Sequence, residues 1–199
     1  MAKQKRAPTA AQQFIAKRRV ARKLALIAVY QWQMTGHRYE TIYGNFQQEA
    51  EMAEDLRKAD ILFLQSLAKC GMDDEMANRI NPYLEKRQLD QVDMIEQALL
   101  RIATCELIHH PETPYKVVVN EAMNLSRKFG AVQGYRLING VLEKLIKETR
   151  ALELSAEQQK EKNPAVNSVN PPSEDEVTNE SVEQSKALLN KTVNIKATQ

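Results

Sequence analysis

A chain of 199 residues holds one domain with extensions or two very small ones, and a hydrophobic content of 43% is enough to build a real core. The net charge of +2 conceals a strong asymmetry: residues 1–23 carry eight Lys or Arg and no acid, 24–150 carry fifteen bases against eighteen acids, and 151–199 carry five against eight. Charge gathered at one end points to nucleic acid or an anionic membrane surface, with a solvated basic tail as the plain alternative. No stretch reaches the roughly 20 apolar residues of a membrane-spanning helix.

Helical periodicity dominates along the chain, and strand signals are weak. The first helix is expected from Thr9, an available N-cap, to Thr35, with Gly36 as its stop. Within it, "AKRRVARKLALIAVYQWQ" sets Lys17, Arg18, Arg19, Arg22 and Lys23 against an apolar run from Leu24. Secretion signal, membrane-surface helix and anion-gripping helix all fit such a stretch. The apolar run is short for a signal and "QWQMTGHR" offers no small-x-small cleavage site, so the reading is a cytoplasmic protein. Residues 39–50 suggest a short helix. Another is expected over Asp55–Lys69, with Ile61, Leu64 and Ala68 on one face and Gly71 as its end. A third, in "DDEMANRINPYLEKR", breaks before Pro82.

The segment "LDQVDMIEQALLRIATCELIHH" spaces Val92, Ile95, Leu99 and Ile102 by threes and fours, which predicts a central buried helix. "HHPETP" is a turn. Thr113 as N-cap and Pro114 at the first helical position then open a helix that ends at Gly130. The triplet Val117–Val119 favours a strand by propensity, but Val118, Ala122, Leu125 and Phe129 keep a helical stripe. Leu137, Val141 and Leu145 mark one further helix. Beyond about residue 154 the chain is rich in Ser, Asn, Glu, Gln and Pro and cannot offset its own entropy by burial, so a disordered tail is expected. The expected fold is all-α, a compact bundle of about seven helices. Its organisation is a basic extension (1–16), a helical domain (17–152) and an acidic, polar tail (153–199).

Enzymatic constellations are thin. His109 and His110 are adjacent on a turn, so their rings do not converge on a metal. No glycine-rich phosphate loop follows a strand, and no serine or cysteine sits in a nucleophile setting. Cys70 and Cys105, each in an apolar helical context, read as buried thiols of a reducing compartment, with a disulfide as the alternative. The chain reads as a binding module, with no catalytic role and no cofactor. On a helix Arg18 and Arg22 are i,i+4 neighbours, as are Arg19 and Lys23. Guanidinium groups suit phosphate because their forked donors match two oxygens and also stack on bases. The oily half is therefore expected to anchor the helix while the charged half projects toward a polyanion.

The stretches "RRVARKLALIAVYQWQ", "LLRIATCEL", "PYKVVVNEAMNLSRKFG" and "LINGVLEKL", in this order and spacing, resemble the NusB family of bacterial transcription antitermination factors over roughly residues 17–149. The resemblance implies two packed three-helix subdomains and binding to the boxA element of ribosomal RNA leaders. It also implies NusE, a small-subunit ribosomal protein, as partner within an RNA polymerase antitermination complex, and a homodimer that hides the RNA face. Carried over by position, Arg18, Arg19 and Arg22 match the arginine motif. Val20 replaces a third consecutive arginine of some relatives, which Lys17 and Lys23 would offset. A second RNA-facing stretch matches Gly134, Tyr135, Arg136 and Leu137, with Lys116 on the same side. Relatives carry an aromatic where this chain has Leu137, so core packing remains the alternative there. Tyr30 and Glu96 match the NusE-facing surface, with core packing again an alternative for Tyr30. In Asn139–Gly140 the glycine is expected to permit close helix approach. Opposite charge suggests that the tail folds back onto the basic helix and competes with RNA. The alternatives are a helical protein–protein adaptor and an accessory domain for an RNA-modifying enzyme.

Overall fold

The computed structural model describes residues 7–162, and every regular element among them is helical. The chain divides between Asp73 and Asp74 into two compact units. In the first, α1 (Ala10–Thr35) begins and ends where local chemistry dictates. The Thr9 hydroxyl accepts the Gln12 N–H at 3.2 Å and the Gln12 side chain accepts the Thr9 N–H at 2.8 Å. At the other end Gly36 takes the left-handed conformation, φ 66°, and its N–H closes on the Trp32 carbonyl. Apart from Lys23, every residue from Ala21 to Val29 is buried, so this part of the helix is enclosed on all sides. It packs on α2 (Tyr39–Gln48), α3 (Ala50–Lys58) and α4 (Ile61–Gly71).

The helix expected over 55–69 is two helices. The backbone is extended at Ala59 and Asp60, and the Asp60 carboxylate caps the Phe63 N–H at 3.1 Å. The Asp60 N–H in turn donates to the Lys17 carbonyl of α1 at 3.2 Å. A break that serves two contacts of this kind shows no proline or glycine, and the apolar spacing runs through it.

The second unit contains α5 (Glu75–Ile80), α6 (Met94–His109), α7 (Tyr115–Phe129), α8 (Gly134–Thr149) and α9 (Ala151–Lys162). Helices α6, α7 and α8 pack on one another, α5 packs on α6 and α9 on α8. As expected, α5 stops before Pro82, and α6 is buried without interruption from Ala98 to Leu107. Helix α7 starts one residue later than predicted, with Pro114 as its N-cap. Gly130 ends it at φ −83°, an ordinary backbone, and the reason for a glycine there is steric, as described below. Nothing would meet a Cβ at Gly140, so it marks no close approach, and Asn139 bonds Glu143 on its own helix.

Helix α9 carries order ten residues past the boundary where the tail was expected to begin, through Lys162. Its sequence, ALELSAEQQKEK, is composed almost wholly of good helix formers, a signal masked in the sequence by the polar stretch that follows. The segments 1–6 and 163–199, including most of the expected tail, lie outside the described residues. Cys105 is buried in α6 and Cys70 is half-buried in α4. No helix among the described residues is long and apolar enough to cross a membrane.

Candidate nucleic-acid interface

In the first unit the five cations of α1 separate by what surrounds them. Lys17 and Arg19 are exposed. The Arg18 guanidinium lies 4.2 Å from the Phe63 ring centroid and 4.8 Å from that of Phe14, with its Nε 3.8 Å from Asp60. Only 14% of its side chain is accessible. Arg22 is 5% exposed and also sits against Phe63, 5.1 Å from the centroid. Lys23 is bound to Asp55 at 2.8 Å. The expected open patch of Arg18, Arg19 and Arg22 is therefore corrected. Arg22 is buried, Arg18 is largely covered, Lys23 is paired, and the charge that faces solvent comes from Lys17 and Arg19. Phe63 and Asp60 lie some forty residues from the arginines in sequence, which is why helical spacing alone could not reveal them. Tyr30, on the same helix, is half-buried.

In the second unit a tight turn brings the last turn of α7 against the first turn of α8. Arg127 and Arg136 approach the ring of Tyr135 to 5.5 and 5.9 Å, and Arg136 also bonds the Tyr135 hydroxyl at 3.4 Å and Gln133 at 3.3 Å. Both arginines are exposed and the ring is half-buried. A ring flanked by guanidinium groups offers a stacking face and phosphate donors together. Tyr135 and Arg136 were predicted here; Arg127 was missed. The signal for it was its place in the last turn before Gly130, close to any helix that restarts at Gly134. Leu137 is half-buried beside them, and Lys116 lies at the other end of α7.

Glu96 holds this turn from below, which corrects the expectation that its carboxylate faces a partner. It is 2% exposed, and its Oε1 accepts the Ala131 N–H at 2.9 Å. A Cβ on Gly134 would fall 1.8 Å from that oxygen and one on Gly130 2.6 Å from it, so both glycines make room for one carboxyl group. Burial, with help from the side chain of Asp93, pushes the Glu96 pKa up to about 7.

The His109–Thr113 turn is organised by Arg150. Its guanidinium donates to the carbonyls of Leu107 at 2.7 Å, His110 at 2.9 Å, Pro111 at 3.2 Å and Thr113 at 3.3 Å, and to Glu153 at 3.1 Å. His110 meets Glu112 at 3.1 Å. Among the described residues no group of His, Cys, Asp and Glu is placed to hold a metal ion.

Fold and site together define an all-helical protein whose α7–α8 turn presents exposed cations around an aromatic ring. The NusB family model matches residues 19–147. The transcription antitermination protein NusB of Shewanella halifaxensis is 39% identical over 138 residues, covering 67% of this chain and 96% of that protein. That of Teredinibacter turnerae is 39% identical over 138 residues, covering 68% and 91%. A solved structure of T. maritima NusB shares the fold, with a TM-score of 0.54 and 22% identity over 69% of this chain and 96% of its own. The chain belongs to the NusB family of transcription antitermination proteins.

Proposed function

We propose that this protein binds boxA-type RNA of ribosomal RNA leaders together with NusE, and that the complex helps RNA polymerase read through terminators in the cytoplasm. The observation that carries the reading is the Arg127–Tyr135–Arg136 cluster, of which Tyr135 and Arg136 lie in the stretch where the family resemblance expects RNA. Single-stranded RNA is recognised by stacking on aromatic or guanidinium planes and by phosphate contacts, and this cluster has both. Tyr135 supplies the ring that Leu137 lacks. Lys17 and Arg19, exposed on α1, add phosphate contacts of their own. Arg18, Arg22 and Lys23 act behind them by holding α1 against α3 and α4. NusE would meet a surface that includes Tyr30, and a homodimer would cover part of the RNA face in the free protein.

The test is binding of labelled boxA-like RNA and a scrambled control, with and without NusE. The boxA-like RNA is expected to bind more tightly, with NusE sharpening the preference. Tyr135→Ala should cost about 1–3 kcal/mol of affinity. Equal binding of both RNAs even with NusE would defeat this reading. The inward use of Arg18, Arg22 and Lys23 favours a second one, a helical protein–protein adaptor, and that version requires RNA affinity to be indifferent to Tyr135, Lys17 and Arg19.

A further inference from the structure

Two glutamates of α9 reach the first turn of α7. Glu153 Oε1 accepts the Tyr115 backbone N–H at 3.0 Å. Glu157 Oε2 accepts the Tyr115 hydroxyl at 2.6 Å and lies 2.8 Å from Lys116 Nζ. The donors involved are a helix-start N–H with no partner inside its own helix, a phenol and an ammonium group. Phosphate oxygens take the same kinds of donor, more strongly than neutral acceptors do. The two carboxylates are i,i+4 neighbours whose repulsion works against α9, and Lys116 and Arg150 offset it. None of the described side chains of α9 is buried, and Leu152 is 89% exposed. The helix is therefore held largely by polar contacts, which exchange for others at little net cost. The Lys116–Glu157 pair, with the lysine side chain 58% exposed, is of the weak surface kind.

We propose that α9 is an intramolecular competitor of RNA: the carboxylates of Glu153 and Glu157 occupy the Tyr115 N–H, the Tyr115 hydroxyl and the Lys116 ammonium, and an RNA phosphate takes these donors when α9 lifts. The inference rests on the RNA-binding reading above and adds Tyr115 to the RNA-contacting residues. It also gives the acidic residues after the bundle a role, damping binding to RNA that makes too few other contacts to displace them.

The experiment titrates labelled single-stranded boxA-like RNA at several salt concentrations into the full-length protein and four variants. These are Glu153→Gln/Glu157→Gln, Lys116→Ala, the triple variant, and Glu51→Gln/Glu54→Gln as a control for bulk charge, on the exposed face of α3. Thermal melts establish that each is folded. The Glu153→Gln/Glu157→Gln protein is expected to bind about fivefold more tightly at low salt. Its salt slope should be steeper by roughly 0.7, one further phosphate. Lys116→Ala in the same background should abolish most of that gain. The α9 proposal is overturned, with RNA binding intact, if the wild type binds and the double variant matches it. It is overturned equally if the gain survives loss of Lys116, or if the α3 control gives an equal gain. If neither the wild type nor the double variant binds RNA, the underlying RNA reading falls and takes this one with it.

Discussion

Replacing Arg22 with alanine removes a side chain from a position 5% exposed, where its guanidinium lies over the Phe63 ring. The loss is expected as a drop in unfolding free energy of about 1–3 kcal/mol in urea titrations. Arg19→Ala, three residues away and exposed, should leave stability within about 0.5 kcal/mol. It should instead lower the salt slope of RNA binding by roughly 0.7. If both variants changed only RNA binding, the inward assignment of Arg22 would be wrong. Glu96 gives the second contrast. Its folded pKa of about 7 lies above the ordinary value of 4.5, so between those values the folded state holds more protons than the unfolded one. Its contribution to stability must therefore fall as pH rises from about 4.5 to about 7 and stay level above. Glu96→Gln keeps an acceptor for the Ala131 N–H and removes the titration. Relative to wild type it should gain about 1–3 kcal/mol by pH 8, read from urea midpoints across the range, whereas parallel pH profiles would count against the buried carboxyl. Neither residue's role was legible in the sequence. Helical spacing tells which side chains share a face, and says nothing of a ring or an amide that arrives from 35 or more residues away.

At the scale of elements, ends written in local chemistry were legible. The Thr9–Gln12 box, the left-handed Gly36 and the stop before Pro82 each depend on residues within one turn of one another. The break at Ala59–Asp60 was not, because Ala59 closes one helix while Asp60 caps the next and gives its N–H to Lys17. Arg150 was missed for the same reason. It closes α8 and donates to four carbonyls at the end of α6 and in the following turn. Arg150→Ala leaves the buried Leu107 carbonyl and its neighbours without that donor, at an expected cost of about 3 kcal/mol or more. Arg150→Lys keeps the charge but not the planar fork and should recover only part of it. Full recovery by lysine, measured by thermal or urea unfolding, would show that charge and not donor geometry matters.

Over the whole molecule, the all-helical architecture followed from a period that strands cannot satisfy, and the family followed from four stretches kept in order and spacing. The charge map was half legible. The excess of cations at the N-terminal end is plain in the sequence, but which of them face water depends on the acids and rings packed beside them. Arg127 joins Tyr135 for the complementary reason, because a turn of four residues returns the chain to it. Burial on α1 and proximity at the α7–α8 turn are tertiary facts, and on them the proposed RNA contacts centre on Tyr135 and not on the arginine run.

The hold of Arg150 on the His109–Thr113 turn bears on where the folding domain stops. The NusB family model matches residues 19 to 147, three residues short of that guanidinium and ten past the Thr9 cap. A fragment trimmed to homology would start α1 without its cap and leave the α6–α7 corner unclasped. A piece running from Thr9 to Arg150 keeps both contacts, so the span the family model matches is shorter than the one these contacts tie together.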